Sequence, residues 1–265
     1  MRILLTGRSG QVGWELERRL DDVVATDREK LDLSGAGIAE FVSRARPKVI
    51  INAAAYTAVD KAESEKDLAM RVNGVAPGIL AEEAKRLGAL LVHYSTDYVF
   101  DGEKKAPYVE EDAPNPLSVY GASKLEGERR IVASGCRYLI LRTSWVYSTR
   151  GRNFFLTVKN ANKPLRVVDD QRGAPTSSGF LAEYTLLLLE KQAEGLLHLV
   201  PSGATTWYGF AREILGEQAA ITPIPSSEYK TAARRPANSV LDNRKAQMLL
   251  GRPLPDWRAV LAAVR

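Results

Sequence analysis

Short apolar runs alternate with longer amphipathic segments through the first 145 residues, and this alternation restricts the possible folds more than any other feature of the chain. The runs at 2–5, 23–26, 49–51, 90–96 and 138–142 predict strands that are apolar on both faces, as buried parallel strands must be. The segments at 12–20, 38–45, 68–87 and 120–134 predict helices between them. Strands and helices in this order, joined by right-handed crossovers, predict an α/β fold with a doubly wound parallel sheet of the Rossmann type.

The pattern loosens after residue 146, where turn-rich segments such as 169–175 and 222–225 separate shorter elements. We expect a smaller C-terminal substrate-binding lobe, made of residues 147–175 and 217–265. The Rossmann domain then spans 1–146. A further strand and helix predicted at 196–200 and 207–215 indicate that about 176–216 rejoin that domain.

Composition excludes several classes of protein. The 265 residues are 45% hydrophobic and 26% charged, which is close to the average of globular domains and argues against a disordered or fibrous chain. The single cysteine, Cys136, cannot form an internal disulfide. The first apolar run is too brief for a signal peptide, and no run approaches the roughly 18 apolar residues of a membrane-spanning helix. We therefore expect a cytoplasmic protein that inserts into no membrane.

The balance of charge favours small anionic partners. The chain has 37 basic and 32 acidic residues, a formal net charge of +5, and the basic residues are spread among acidic ones along nearly every segment. Nucleic-acid-binding proteins usually concentrate basic residues in one stripe with interleaved aromatic residues. We therefore expect no nucleic-acid partner, whereas phosphorylated small molecules fit the charge.

A glycine-rich turn, TGRSGQVG at 6–13, follows the first predicted strand and opens the first predicted helix. In this position Gly7 permits a tight turn, Gly10 lets backbone N–H groups approach a pyrophosphate, and Gly13 allows close packing of the helix on the sheet. The partial positive charge of the helix N-terminus adds to the attraction for phosphate. We expect the turn, including Gln11 and Val12, to bind a dinucleotide.

The end of the second predicted strand bears on which dinucleotide binds. Asp27 lies twenty positions after Gly7, where an acidic side chain can accept hydrogen bonds from the adenosine ribose of NAD. Its neighbour Arg28 can pair with the 2′-phosphate of NADP. The sequence therefore predicts NADPH or NADH as cofactor and does not rank them.

Three further residues form a candidate catalytic group. Tyr120 and Lys124 are four residues apart on a predicted helix, so their side chains project from one face. Thr96 ends the fourth predicted strand, and in a doubly wound sheet the ligand crevice lies beyond the carboxyl ends of the strands. A neighbouring ammonium lowers the pKa of a phenol, so we expect Tyr120 to act as a general acid. Lys124 would also hold the nicotinamide ribose, and the Thr96 hydroxyl would hydrogen-bond a substrate carbonyl.

Several longer segments resemble a known group of enzymes. The glycine turn, NAAA at 52–55, STDYVFDG at 95–102 and YGASK at 120–124 resemble the extended short-chain dehydrogenase/reductase superfamily. Within that superfamily the chain resembles the dTDP-4-dehydrorhamnose reductase family almost end to end, through AAAYTAVDKAE at 53–63, RTSWVY at 142–147, QRGAPT at 171–176 and RRPANS at 234–239.

The resemblance implies a reaction and a set of contacts. The implied reaction is reduction of the 4-keto group of dTDP-4-dehydro-L-rhamnose to dTDP-L-rhamnose, a sugar donor for surface polysaccharides, with the dTDP-sugar as the partner. A flat indole suits the apolar face of a 6-deoxyhexose. The residues that the resemblance places against the cofactor are Asp32, Leu33, Ala53, Ala54 and Ala55, in addition to those above, and against the substrate they are Thr57, Val59, Thr96, Asp97, Tyr98 and Trp145.

The substrate diphosphate needs cationic partners, and Arg234 and Arg235 lie in a loop next to Pro236. A solvated loop is the alternative, and the resemblance leads us to keep Arg235 as a ligand. Family members that dimerise around magnesium use carboxylates; Glu15 matches one such position, but Gly179 stands where a second carboxylate would be needed. We therefore predict no metal and leave a homodimer as one option for the assembly.

Other reactions fit the residues less well. Dehydratases of the superfamily carry Thr-Asp-Glu where this chain has Thr96-Asp97-Tyr98. Tyr98 replaces the Glu, so the acid needed for elimination is missing. A 3,5-epimerase needs two bases, and the only histidines, His93 and His198, lie in strand-like apolar runs, where we expect structural roles. Two alternatives remain: a reductase of another 4-keto sugar nucleotide, or a non-catalytic, cofactor-binding regulatory subunit.

The pairing of Asp27 with Arg28 predicts that both cofactors bind. We expect the dissociation constants of NADPH and NADH to differ by less than about a thousandfold, ~4 kcal/mol. Titration of the purified protein with each dinucleotide measures the ratio. A larger preference for either one would show that a single residue of the pair controls recognition.

Overall fold

A six-stranded, fully parallel sheet forms the centre of the computed structural model, which describes residues 2–264. Six short strands form three two-stranded pairs beside it. In chain order the strands are β1 (Ile3–Thr6), β2 (Val23–Thr26), β3 (Val49–Asn52), β4 (Leu90–Thr96), β5 (Arg137–Thr143), β6 (Val146–Tyr147), β7 (Leu165–Val168), β8 (Arg172–Gly173), β9 (Thr176–Ser177), β10 (Gly195–His198), β11 (Thr205–Thr206) and β12 (Ile221–Ile224).

Helices connect the strands and cover both faces of the large sheet. The predicted helix at 68–87 is two α-helices joined by a π-helical turn at Arg71–Val75. The α-helices are α1 (Gln11–Glu17), α2 (Ile38–Ala45), α3 (Val59–Ala62), α4 (Lys66–Met70), α5 (Ala76–Leu87), α6 (Val119–Ser134), α7 (Phe154–Lys159), α8 (Ser178–Glu190), α9 (Trp207–Leu215), α10 (Arg244–Leu250) and α11 (Trp257–Ala262).

The order of strands across the sheet is β2-β1-β3-β4-β5-β10. The chain runs from β1 outward to β2 and then crosses back over β1 to β3, so the direction of winding reverses between β1 and β3. This is the doubly wound arrangement predicted from the sequence, and the prediction is confirmed. In such a sheet the crevice for ligands opens at the carboxyl ends of the strands on either side of the reversal.

Alternate residues of the central strands point to opposite faces of the sheet and build two separate cores. Leu91 and Ile140 face α2, α5 and α6. Val92 and Leu141 face α1 and α8, where the leucine-rich helix α8 is buried. Both faces of the strands are therefore covered, as the continuous apolar runs predicted.

Residues after 146 divide between the sheet and a second group of elements. The strand predicted at 196–200 is β10, which pairs with β5 at the edge of the large sheet. The helix predicted at 207–215 is α9, which packs on α7 and on the β7/β12 pair instead of on that sheet. The domain boundaries themselves stay a prediction. None of the helices within residues 2–264 has both the length and the apolar character needed to cross a bilayer.

A buried ion pair ties α6 to β5. The Arg142 guanidinium donates from Nε to Glu128 Oε1 at 3.0 Å and from Nη2 to Oε2 at 2.7 Å, and both side chains are almost fully buried. Ser95 on β4 donates to the same carboxylate at 2.5 Å. Removing one member of such a pair leaves an uncompensated buried charge.

We expect Glu128→Gln to lower the free energy of unfolding by about 3–5 kcal/mol, because Arg142 then stays buried without its counter-charge. Urea denaturation measures the loss. The exposed pair of Arg44 with Glu40 offers a matched control, and Glu40→Gln should cost less than about 1 kcal/mol. Equal losses in the two variants would contradict the interpretation.

Candidate active site in the cleft at the strand ends

One cleft of about 1050 Å³ opens at the carboxyl ends of β1, β3 and β4. It brings together all but two of the site residues predicted from the sequence; Gly13 and Arg235 do not line it. The predicted residues that line it are Gly7, Gly10, Gln11, Val12, Asp27, Arg28, Asp32, Leu33, Ala53, Ala54, Ala55, Thr57, Val59, Thr96, Asp97, Tyr98, Tyr120, Lys124 and Trp145.

The glycine turn is packed too tightly for side chains. Gly7 has φ +77°, and a Cβ there would lie 2.6 Å from the backbone nitrogen of Ala54 in the loop after β3. A Cβ on Gly13 would lie 2.0 Å from the Gly7 carbonyl oxygen, so Gly13 packs α1 beneath the turn instead of lining the cleft. The turn and the loop after β3 therefore present bare backbone to the cleft, which fits the close approach of a pyrophosphate.

An acidic and a basic side chain lie side by side where β2 ends. Asp27 Oδ1 accepts a hydrogen bond from the Lys30 backbone N–H at 3.1 Å. The Arg28 Nε lies 3.6 Å from Asp32 Oδ2 and is well exposed. Hydrogen bonds from the Ser34 backbone and hydroxyl hold the pKa of Asp32 below its ordinary value. The structure thus fits a ribose or a ribose phosphate at this end of the cleft.

Thr96 and Tyr120 meet in the cleft, as predicted. The Thr96 hydroxyl lies near enough to the Tyr120 phenol to affect its pKa, and the Thr96 Oγ1 donates to Asp97 Oδ1 at 3.0 Å. The Tyr98 ring packs edge-on against the Tyr120 ring, with centroids 6.1 Å apart. A hydroxyl pair at the end of β4 can share one carbonyl oxygen of a ligand.

The expected effect of Lys124 on Tyr120 is wrong for this structure. Burial raises the pKa of Tyr120 to about 12, partly offset by the nearby Thr96 hydroxyl, so the phenol stays protonated at neutral pH. Within the described part of the chain, the Lys124 ammonium instead donates to the Tyr94 carbonyl at 2.6 Å and lies 3.2 Å from His93 Nε2. The Lys124 ammonium is thus held by two residues of β4.

Burial also shifts the two charged groups nearest Tyr120. It lowers the pKa of Lys124 to about 8, against the opposing effect of the Glu128 carboxylate. It raises the pKa of Asp97 to about 7, and hydrogen bonds from Ser239 and Thr96 oppose the rise. Both groups therefore titrate near neutral pH, as is common for groups at functional sites.

Two stacked indoles line another part of the cleft. Trp145 has φ +47°, and its ring is stacked on that of Trp207 with centroids 3.6 Å apart and 8° between the planes. A Cβ on Gly173 would lie 2.5 Å from the Trp145 ring, so only glycine leaves room for it. Both indoles line the cleft and are partly exposed, so apolar ring surface is open to a ligand there.

Arg235 is tied down beside the cleft. Its Nη2 donates to Asp60 Oδ2 at 2.7 Å, and its positive charge acts on the nearby Tyr98 phenol. The Arg235 side chain is therefore partly buried and paired with Asp60 instead of lying in a solvated loop. Its role as a ligand stays a prediction.

The sequence did not identify Trp207, which lines the cleft, or Asn73, which holds the loop after β3 that lines it. Trp207 was assigned only to the start of a helix, because nothing in its local pattern indicates the stack with Trp145. Asn73, in the π-helical turn, accepts from the Tyr56 N–H at 2.9 Å, and its Nδ2 donates to the Tyr56 carbonyl and to Ser123 Oγ, each at 3.0 Å. The only sign of this role in the sequence is a polar Asn inside the helix predicted at 68–87; that Asn73 is buried became visible in the structure.

The proposed absence of a metal remains a prediction. Glu15, the carboxylate considered for magnesium, accepts a hydrogen bond from the Arg19 guanidinium just beyond the end of α1. Residues 2–264 contain no group of three or more His, Cys, Asp or Glu side chains arranged to hold a metal ion. The option of a homodimer likewise stays a prediction.

The buried carboxyl of Asp97 predicts a pH dependence of stability. Its pKa is raised in the folded protein, so between about pH 4 and 7 the folded state keeps a proton that the unfolded chain has lost, and stability falls as pH rises through this window. We expect Asp97→Asn to remove this contribution, which has a slope of at most ~1.4 kcal/mol per pH unit. Urea denaturation of both proteins across the window measures it; parallel stability curves would contradict the prediction.

Comparison with known proteins agrees with the site. A family model described as RmlD substrate binding domain matches residues 1–265. The dTDP-4-dehydrorhamnose reductase of Burkholderia thailandensis is 45% identical over 97% of this chain and 96% of that protein. A Streptomyces antibioticus protein named "Probable dTDP-4,6-dihydroxy-2-methyloxan-3-one 4-ketoreductase" is 36% identical over 98% of this chain and 93% of its own. The crystal structure of the dTDP-4-dehydrorhamnose reductase of Bacillus anthracis in complex with NADP has a TM-score of 0.94 and 33% identity, covering 99% of this chain and 98% of that one. The chain therefore belongs to the RmlD substrate binding domain family.

Proposed function

We propose that the protein reduces the 4-keto group of dTDP-4-dehydro-L-rhamnose to give dTDP-L-rhamnose, with NADPH or NADH as the reductant. The observation that carries the proposal is that Thr96, Tyr120 and Lys124 line the same cleft as the bare glycine turn. A carbonyl reductase needs a proton donor, a carbonyl-binding group and a dinucleotide site within one cavity. The choice of this particular sugar nucleotide rests on the names of the relatives described above.

The residues present fit a nicotinamide dinucleotide. Gly7 and Gly10 would approach the pyrophosphate, and Asp27 and Arg28 would hold the adenosine ribose or its phosphate. Lys124 has three N–H donors, of which one is engaged by Tyr94 and one lies against His93, so a third remains for the nicotinamide ribose. When bound, the reduced cofactor supplies a hydride to the carbonyl carbon.

The protein supplies the proton. Because burial raises the pKa of Tyr120 to about 12, the phenol is protonated at neutral pH and can donate to the oxygen as its negative charge develops. The Thr96 hydroxyl donates to Asp97 Oδ1 in this structure, and on substrate binding it would turn to donate a second hydrogen bond to this oxygen. The phenolate left on Tyr120 regains a proton before the next turnover.

The sugar nucleotide would bind on the other side of the cleft. The Trp145 and Trp207 stack suits the apolar face and methyl group of a 6-deoxyhexose. Asp97, Tyr98, Thr57 and Val59 line the same region, and Arg235 would act on the diphosphate through its position beside Tyr98. The substrate and the cofactor thus approach Tyr120 from opposite walls.

A reductase of a different 4-keto sugar nucleotide is the second candidate. The Streptomyces antibioticus relative is named for a 4-ketoreductase reaction on a different dTDP-sugar, and it matches almost the whole chain. The stereochemistry of the sugar is selected by a few contacts on the Trp145 side of the cleft, which the Thr96 and Tyr120 chemistry does not constrain. A regulatory, non-catalytic role is less well supported, because a regulator has no need of that hydroxyl pair.

The proposal is tested by NADPH oxidation with dTDP-4-dehydro-L-rhamnose generated in situ. We expect turnover by the unaltered protein and a loss of about a hundredfold or more in kcat for Tyr120→Phe, with the cofactor dissociation constant retained, because only the proton donor is removed. The exposed Tyr229 gives a matched control, and Tyr229→Phe should keep full activity. Full turnover by Tyr120→Phe would refute the acid assignment. Cofactor binding without turnover of any 4-keto sugar nucleotide would favour the regulatory role.

A further inference from the structure

The loop 148–153, which joins β6 to α7, packs against the first residue of α1. Gln11 Oε1 lies 2.9 Å from the Ser148 hydroxyl and accepts a hydrogen bond from Asn153 Nδ2 at 3.0 Å. A Cβ on Gly151 would lie 3.8 Å from Gln11 Cγ, which is ordinary van der Waals contact. Residues 137 and 142 positions apart in the chain are thus joined beside the glycine turn.

The orientation of the Asn153 amide is fixed by the helix that it begins. Its Oδ1 accepts from the Leu156 N–H at 3.0 Å as the N-cap of α7, so its nitrogen faces the loop. That nitrogen lies 3.0 Å from Gln11 Oε1 and from the carbonyl oxygens of Ser148 and Arg150, which share its two N–H groups. The loop is therefore closed on itself and tied to α1 by the same side chain.

The two arginines of the loop lie on either side of Gly151 and have different surroundings. The Arg150 guanidinium lies 4.5 Å from the centre of the Trp14 ring on α1, a cation–π contact. Gly151 has φ +72°, in the left-handed region that favours glycine. Arg152 lines the cleft together with Gly151 and Asn153. Arg150 thus adds to the attachment of the loop, and Arg152 is left at the ligand site.

Arg152 has no partner of opposite charge in the protein. The cationic side chains that line the cleft are Arg28, Lys61, Lys124 and Arg152. The first two lie 3.6 and 3.4 Å from carboxylates, and Lys124 donates to a carbonyl of β4. Among residues 2–264, the exposed Arg152 side chain makes neither an ion pair nor a hydrogen bond. Its guanidinium is therefore free to pair with an anion that enters the cleft.

We propose that Arg152 binds the pyrophosphate of the dinucleotide cofactor, and that the loop 148–153 holds it there through the hydrogen bonds to Gln11. The proposal rests on the cofactor of the function proposed above. Gln11 directly follows Gly10, where the backbone would approach the pyrophosphate. The peptide groups of the turn carry no net charge, so a guanidinium beside them supplies the counter-charge and two parallel N–H donors.

The diphosphate of the sugar nucleotide is the other anion expected in this cleft. The contacts of Gly151 and Asn153 with Gln11 place both neighbours of Arg152 against the first residue of the cofactor-side helix. This attachment favours the cofactor over the sugar nucleotide as the partner of Arg152.

Dissociation constants of NADPH and NADH, measured by calorimetry, test the proposal. For Arg152→Gln we expect both constants to rise by the same factor, about tenfold or more, because both dinucleotides contain the pyrophosphate. Arg152→Lys keeps the charge but loses the planar fork, so its constants should rise only about threefold. Arg129→Gln is the matched control, since Arg129 is equally an exposed arginine but lies on α6 outside the cleft; its constants should stay within about twofold.

Further measurements separate the anions that Arg152 could meet. The dissociation constant of dTDP should be unchanged in Arg152→Gln, and the loss for NADPH should narrow as NaCl is raised, because salt screens an exposed ion pair. A loss for NADPH without one for NADH would assign Arg152 to the 2′-phosphate. A loss for dTDP larger than that for the dinucleotides would assign it to the substrate. Either result, or unchanged binding of both dinucleotides, would overturn the proposal.

Asn153→Ser tests the attachment of the loop. Serine caps a helix about as well as asparagine, but its shorter side chain does not reach Gln11. We expect weaker NADPH binding, and Arg152→Gln should cost less in this background than in the unaltered protein, on variants whose circular dichroism shows that they are folded. Full additivity would refute the role of the loop. Every arm measures binding alone, so a missing turnover would count against the proposed reaction and not against Arg152.

Discussion

The approach of Gly7 to Ala54 is the contact on which the rest of the site depends. Because there is no room for a Cβ at Gly7, the turn after β1 and the loop after β3 lie backbone to backbone at the point where the winding of the sheet reverses. This contact creates a cleft with bare peptide groups on one wall. It also fixes the loop after β3, which Asn73 clamps from the other side through the Tyr56 backbone.

Burial determines the electrostatics of the cleft more than pairing between charges does. Desolvation is the largest cause of the shifts at Tyr120, Lys124 and Asp97, and it moves each group toward its neutral form. A buried phenol keeps its proton until a negative charge develops beside it. A buried ammonium, in contrast, needs an acceptor and negative charge nearby to stay charged, and the Tyr94 carbonyl and the Glu128 carboxylate provide them. Burial alone thus keeps Tyr120 in its protonated form, whereas Lys124 needs specific partners to stay protonated.

Much of the fold and part of the site could be predicted because their signals are local. The strands and helices of the sheet follow from runs of apolar residues and their spacing, and the observed helix at 38–45 and strand at 90–96 match the predicted bounds. The glycine turn and Asp27 were found by their positions relative to a strand. The predicted pKa of Tyr120 was wrong because the spacing of Tyr120 and Lys124 says nothing about how deeply either is buried.

Local patterns in the sequence are enough to predict the alternation of strands and helices, the parallel α/β class and the candidate residues at the strand ends, because the spacing of apolar residues and of glycines extends over only a few neighbouring positions. The stack of Trp145 on Trp207, the ion pair of Arg235 with Asp60 and the contact of His93 with Lys124 appear only in the folded structure. Each of these joins segments far apart in the chain. Their contacts depend on strand order and register, which no local pattern encodes.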